Sequence, residues 1–219
     1  MDYTKPTLIV ISGPNGAGKS THIQTMLPLA FEGIYSFDRD KIRVNFENQL
    51  RTQGNIGEAE IFARATKEME NKLVQAMKNA IAQRKHFVLE TPLSHPDYWQ
   101  YIELFENAGY QLQLNYLCLD KISDCIARVG QRVMEGGHYV APNTIKGVYD
   151  KNLEYINEYK GTFSVIELYN GMVVPTLLAC IESDTVTYAE KESMKKNWIK
   201  KGLPALYKMI SAYFSKNKP

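Results

Sequence analysis

Residues 7–21 read TLIVISGPNGAGKST. Thr7 and the apolar run Leu8 to Ile11 have the length of one buried strand. Gly13-Pro14-Asn15-Gly16-Ala17-Gly18-Lys19-Ser20 then completes the pattern G-x-x-x-x-G-K-[ST], set between that strand and a helix expected from Lys19. The chemistry needs these residue types at these places. Glycines let the backbone curl into a nest of N–H groups aimed at one anion, and the unpaired N–H groups opening the next helix add to it. Gly13 to Thr21 is therefore the expected cradle of a nucleoside triphosphate. Lys19 reaches the β- and γ-phosphates, and the Ser20 hydroxyl holds Mg²⁺.

The 219 residues suffice for one α/β domain with appendages. A formal net charge of +2 provides no whole-molecule field toward nucleic acid. Cys118, Cys125 and Cys180 are odd in number and lack C-x-x-C spacing, which fits small hydrophobes in a reducing compartment. No apolar stretch approaches the length of a membrane span, and MDYTKPTLIV lacks the pattern of a secretory leader. The expectation is a cytoplasmic protein with no membrane partner.

Beyond the P-loop helix (to about Met26), Gly33 to Phe37 reads as a second strand ending in Asp38-Arg39-Asp40. Carboxylates at a strand tip one unit after a P-loop face the ligand crevice of an open α/β sheet. Asp40 is thus a candidate general base for an attacking hydroxyl, and Asp38 the alternative; either could instead cap the helix that follows. Glu58 to Arg84 is a long helix whose stripe includes Ile61, Phe62, Ala65, Met69, Leu73, Met77 and Ile81. His86 to Glu90 is a third strand, and Glu90 at its tip suits the Mg²⁺ shell, through water, or a substrate hydroxyl. Pro96 to Ala108 is a helix and Gln111 to Leu119 a fourth strand.

Ser123 to Met134 forms a polar helix with Arg128 and Arg132 one turn apart on one face. Gly136-Gly137-His138 follows as a hinge. Residues 121–145 therefore read as a lid bringing cations over the transferring phosphoryl group, with His138 a further site candidate. Pro142 opens another helix. Phe163 to Leu168 is a fifth strand, and a tight turn at Tyr169-Asn170-Gly171 leads to an antiparallel sixth, Met172 to Ile181. From Thr185 lysines alternate with Met194, Trp198, Ile199, Leu203, Leu206 and Ile210, suggesting an amphipathic helical cover. The expected fold is α/β: a P-loop NTPase, three-layer αβα, with a mostly parallel sheet and a kinase-like helical lid. Residues 1–183 form the kinase domain and 184–219 a Lys-rich helical extension.

Five segments together resemble the zeta-toxin family of P-loop kinases: GPNGAGKST (13–21), DRDKI (38–42), LETPL (89–93), RVGQRVMEGGHYVAPNTI (128–145) and LYNGMVVPTLLA (168–179). The resemblance covers roughly residues 6–181. It implies transfer of the ATP γ-phosphate to a hydroxyl of a nucleotide sugar, typically the 3′-OH of UDP-N-acetylglucosamine, with an antitoxin protein as a possible partner. Carried over by motif, Asp40 is the base, Lys19 and Ser20 handle phosphates and Mg²⁺, Glu90 and Thr91 touch the sugar nucleotide, and Arg128 and Arg132 are the lid cations. The chain departs from the family pattern at Pro92 and at Lys146-Gly147-Val148, both on the substrate side. A kinase for a nucleoside, dinucleotide or nucleic-acid end, and a nucleotide-binding switch acting through a protein partner, are the alternatives; near-neutral charge speaks against a polymer substrate.

Overall fold

In the computed structural model, which describes residues 1–54, 56–137 and 139–217, the run Thr7–Ser12 forms β1 and all six of its residues are buried. It is buried because parallel neighbours flank it on both sides, β2 (Phe87–Glu90) and β3 (Gln111–Cys118). A strand covered on both faces takes a continuous apolar sequence. β4 (Val165–Asn170) pairs parallel with β3, and β5 (Thr176–Glu182) and β6 (Thr185–Ala189) follow antiparallel, giving the order β2-β1-β3-β4-β5-β6. The helices are α1 (Lys19–His22), α2 (Arg39–Gln53), α3 (Glu58–Ala82), α4 (Pro96–Asn107), α5 (Ile122–Met134), α6 (Pro142–Tyr159) and α7 (Pro204–Lys216). This is the expected α/β architecture, a mostly parallel sheet flanked by helices.

Side chains alternate across β1. Leu8 and Val10 enter the larger core with Leu73, Met77, Ile102, Phe105, Ile145 and Ile156. Ile9 and Ile11 enter a smaller one with Ile23, Met26 and Phe31. Cys118 and Cys125 are buried, Cys180 is half-buried, and all three are free thiols. No helix among the described residues is long and apolar enough to cross a membrane.

Three local expectations fail for identifiable reasons. Gly33 to Phe37 is not a strand: Gly33 has φ +78°, Tyr35 is 77% exposed, and these residues pair with no strand of the sheet. β4 runs on to Asn170, held through its last residue by pairing with Cys118, so Tyr169 and Asn170 are strand rather than turn. β5 then begins only at Thr176, after Pro175, whose missing N–H suits a strand boundary. Thr185–Ala189 is a sheet edge, not the start of a helix, its run of β-branched and aromatic residues, Thr185 to Tyr188, fitting a pleat.

The Lys-rich segment packs as a cover. Trp198, Ile199, Leu203, Leu206 and Ile210 are buried in the larger core, and the Trp198 ring stands edge-on to Tyr116 at 5.5 Å. Lys195 projects outward at 74% exposure, paired with Glu192. Trp198→Ala should therefore destabilise the folded chain by about 3–5 kcal/mol, the cost of emptying a large aromatic site. Denaturant unfolding followed by circular dichroism checks this; a loss below about 1 kcal/mol would mean the segment is not packed as described.

Candidate active site

The P-loop geometry follows from its glycines. Gly13, Gly16 and Gly18 have φ of +147°, +81° and +96°, values L side chains rarely adopt. A Cβ at Gly13 would lie 2.0 Å from the Leu117 carbonyl oxygen, and one at Gly16 would lie 2.3 Å from that of Cys125. The loop is thus pressed against the end of β3 and against α5. Lys19 is half-buried and its Nζ donates to the carbonyls of Gly13 and Pro14 at 2.9 and 3.1 Å. Burial holds its pKa below the ordinary lysine value, partly offset by the carboxylate of Glu90. Asn15 lines the clefts beside it; Pro14, Ala17 and Thr21 complete the loop and first turn.

The tip of β2 reaches the same point. The Ser20 hydroxyl donates to the Glu90 carboxylate, at 3.1 Å to Oε1 and 3.3 Å to Oε2. A hydroxyl and a carboxylate side by side, next to a lysine, form the hard-oxygen set that Mg²⁺ uses with phosphates and water. The residues therefore fit that ion. Thr91 is buried and its hydroxyl has no hydrogen-bond partner among the described residues.

The two aspartates differ in what they hold. The Asp38 carboxylate accepts the Lys41 N–H at 2.9 Å and is the N-cap of α2. Asp40 lies in the first turn, its side chain 76% exposed with Arg43 at 3.4 Å, and it lines the clefts around the P-loop. The two arginines of α5 also part company. Arg128 is committed to backbone, its Nη1 donating to the Gly171 carbonyl at 2.6 Å and that of Ala17 at 3.4 Å. Arg132 is exposed and lines the cleft over Lys19. His138 lies outside the described residues.

The glycines after α5, expected as a hinge, cap that helix in this structure. Gly136, at φ +87°, donates to the Val133 carbonyl at 3.0 Å, and Gly137 to that of Arg132 at 2.8 Å. These two bonds are the Schellman pattern that ends a helix. Gly137 also lies against the Arg132 stem, where a Cβ would meet Cγ at 2.5 Å.

Two clefts meet at this point. One, about 440 Å³, runs along the P-loop and α5, with Gly16, Gly18, Arg128, Gln131, Arg132 and Val173 on its walls. The other, about 580 Å³, lies between α2, α3 and α6. Asn15, Lys19, Ser20, Asp40 and Glu90 line both. The second cleft contains residues that sequence reasoning missed, Phe37, Arg39, Tyr98 and Thr144, together with Val148 from the segment read as lying on the substrate side. Phe62, expected in the core stripe of α3, is instead 52% exposed and lines this cleft. Its place next to Ile61, one step off the buried spacing 61, 65, 69, 73, is the signal that could have shown this.

The family model for zeta toxin matches residues 1–190, and the chain belongs to the zeta-toxin family of P-loop kinases. An uncharacterized protein of Haemophilus influenzae is 26% identical over 141 residues, 64% of this chain and 91% of that protein. Among solved structures, AvrRxo1-ORF1 in complex with AvrRxo1-ORF2, with sulphate ions, superposes with a TM-score of 0.65 at 14% identity over 88% of this chain. The chain spans 63% of the length of that protein. The structure from the PezAT chromosomal toxin-antitoxin system of Streptococcus pneumoniae superposes with a TM-score of 0.56 at 19% identity, over 94% of this chain and 87% of its own. At these identities the solved structures show a shared fold.

Proposed function

We propose that this zeta-toxin family chain is an ATP-dependent kinase that moves the γ-phosphate to a hydroxyl of a small-molecule acceptor. The observation that carries the proposal is the meeting of two clefts on Lys19, Ser20, Asp40 and Glu90. A donor and an acceptor bound in separate clefts with one shared wall are held for in-line transfer. The solved complex of AvrRxo1-ORF1 with AvrRxo1-ORF2 and ATP supports ATP as the donor.

In this reading the P-loop N–H groups hold the β- and γ-phosphates, and Lys19 turns its Nζ from the Gly13 and Pro14 carbonyls to the phosphate oxygens. Ser20 would hold Mg²⁺ directly and Glu90 would hold it through water. When bound, the ion supplies neutralisation of the charge shared by the β- and γ-phosphates. Asp40 accepts the proton of the acceptor hydroxyl as its oxygen bonds to the γ-phosphorus and the bond from phosphorus to the ADP oxygen breaks. Arg132 faces the phosphates from α5, while Arg128 positions the P-loop and residue 171 through their carbonyls.

UDP-N-acetylglucosamine, the acceptor implied by the family resemblance, is the first compound to try. A partner antitoxin is proposed on the same footing, since PezAT is a toxin-antitoxin system. The test incubates purified protein with Mg²⁺ and ATP against UDP-sugars, nucleosides, ring-bearing alcohols, NAD and nucleic-acid ends. Mass spectrometry then looks for an added phosphate. Phosphate on a small molecule is the expected result. Phosphate only on polynucleotide ends would replace the acceptor, and no modified compound would leave a nucleotide-dependent switch as the better reading.

A further inference from the structure

Among the described residues, the cleft between α2, α3 and α6 has two cations on its walls, Lys19 and Arg39, and only Lys19 also lines the nucleotide cleft. We infer that Arg39 determines acceptor specificity: its Nη1 binds a phosphate group that the acceptor carries. This rests on the kinase reading above.

Arg39 is built into the wall by three residues. Its Nη2 pairs with one oxygen of the Glu70 carboxylate on α3, and the Tyr101 hydroxyl donates to the other. The rings of Tyr98 and Tyr101 on α4 have their centres 5.4 and 5.8 Å from the guanidinium carbon, within cation–π range. A guanidinium gripped by a carboxylate and two rings has little rotamer freedom left to lose on binding. Its side chain is 20% exposed and lines the cleft, yet Nη1 is buried and has no hydrogen-bond partner among the described residues. A charged donor taken from water without an acceptor costs folding free energy. An oxyanion entering the cleft supplies the acceptor that is missing, and the planar fork of arginine suits phosphate.

The other charges leave this position to Arg39. Lys19 is directed to the ATP phosphates. From α6 the wall receives Thr144 and Val148, which are uncharged. Of the acids, Asp38 holds the Lys41 N–H, while Asp40 and Glu90 belong to the wall shared with the nucleotide cleft. Neighbours in sequence thus divide the work: the reacting hydroxyl lies by Asp40, and the acceptor phosphate, which is not transferred, lies by Arg39. The buried Thr91 hydroxyl, also without a partner, lines the same cleft with Ser94 and Thr144, and hydroxyls donate readily to phosphate oxygens. Glu70 offsets part of the Arg39 charge, so the contact is sensitive to Glu70 as well. A nucleotide sugar meets these requirements.

The experiment compares acceptors that differ in phosphate: uridine, UMP and UDP-N-acetylglucosamine; adenosine, AMP and NAD. The full chain, saturated with ATP and Mg²⁺, is assayed for kcat and KM by mass spectrometry. Phosphorylated members should exceed their phosphate-free parents in kcat/KM by about tenfold or more, the effect of one hydrogen bond to a charged group. Arg39→Gln should erase that preference by raising KM for the phosphorylated acceptor, with KM for ATP unchanged. Glu70→Gln keeps Arg39 and removes its counter-charge, so the same KM should fall by about twofold or more. A residue that merely braced the fold would raise KM for acceptor in both variants, which overturns the inference. Equal use of phosphate-free and phosphorylated members by the unmodified protein, or a preference that survives Arg39→Gln, overturns it too and leaves the kinase reading intact. A set in which nothing gains phosphate, with ATP binding retained, counts against both.

Discussion

Asp40→Asn is expected to lower the rate of phosphoryl transfer by about 10²–10⁴-fold, the range over which a positioned general base contributes. The substitution keeps size and shape and removes only the capacity to take a proton. Helix capping does not confound it, because Asp38 holds the Lys41 N–H at 2.9 Å and Asp40 does not cap α2. Nor should folding suffer. Asp40 is 76% exposed, and its contact with Arg43 at 3.4 Å is of the surface kind, worth about 0–1 kcal/mol. Arg43 retains Glu47 as its partner. The loss should therefore appear in kcat, with KM for ATP little changed and the thermal shift produced by ATP and Mg²⁺ retained. Single-turnover kinetics on the variant checks this. A rate within tenfold of the unmodified protein would show that the acceptor proton leaves by another route.

The P-loop is legible in the sequence because its requirements are local. Gly13, Gly16 and Gly18 need positive φ, and nothing distant has to be known to see it. The core strands read equally well, since β1 and β3 are buried along their lengths and carry apolar runs. The candidate site was legible only at its shared wall. Asp40 and Glu90 announced themselves as acids at element ends following a P-loop. Arg39, Phe62 and Tyr98 did not, because their meaning depends on how α2, α3 and α4 are brought together. Arg39 reads as one charge among many until Glu70, remote in sequence, neutralises it. Arg128 and Arg132 look equivalent on a helical wheel. Residue 171, beyond the end of β4, separates them by offering a carbonyl to one alone. That Gly136-Gly137 caps α5 is visible only in the hydrogen bonds back to Val133 and Arg132. The misplaced strand at 33–37 shows the same limit. A short apolar run becomes a strand only by pairing with a sheet, and residues 33–37 pair with none of its strands.

Lys19→Ala should abolish most transfer without weakening the fold, and the two effects have opposite physical origins. Among the described residues Lys19 makes two hydrogen bonds, both to P-loop carbonyls, and its surroundings disfavour its charge. The folded-state pKa is thus below the unfolded one. Stability then rises with pH between the lowered folded value and the ordinary lysine value, because in that window the folded chain gives up the proton that the unfolded chain still holds. At neutral pH the charge is held at a cost to folding. Alanine removes that cost together with the two hydrogen bonds, so the nucleotide-free melting temperature should change little, and the rise in stability toward pH 10 should flatten. With ATP and Mg²⁺ the balance reverses, since the same ammonium faces phosphate oxygens whose charge grows as the phosphoryl group departs. Losing one preorganised cation there lowers the rate by about 10²–10³-fold. Unfolding at pH 7 and pH 10, beside phosphoryl-transfer rates for both proteins, separates the two effects. A variant that melts far below the parent at pH 7 without nucleotide would mean that Lys19 holds the P-loop in shape, and its lost activity would then report folding instead of catalysis.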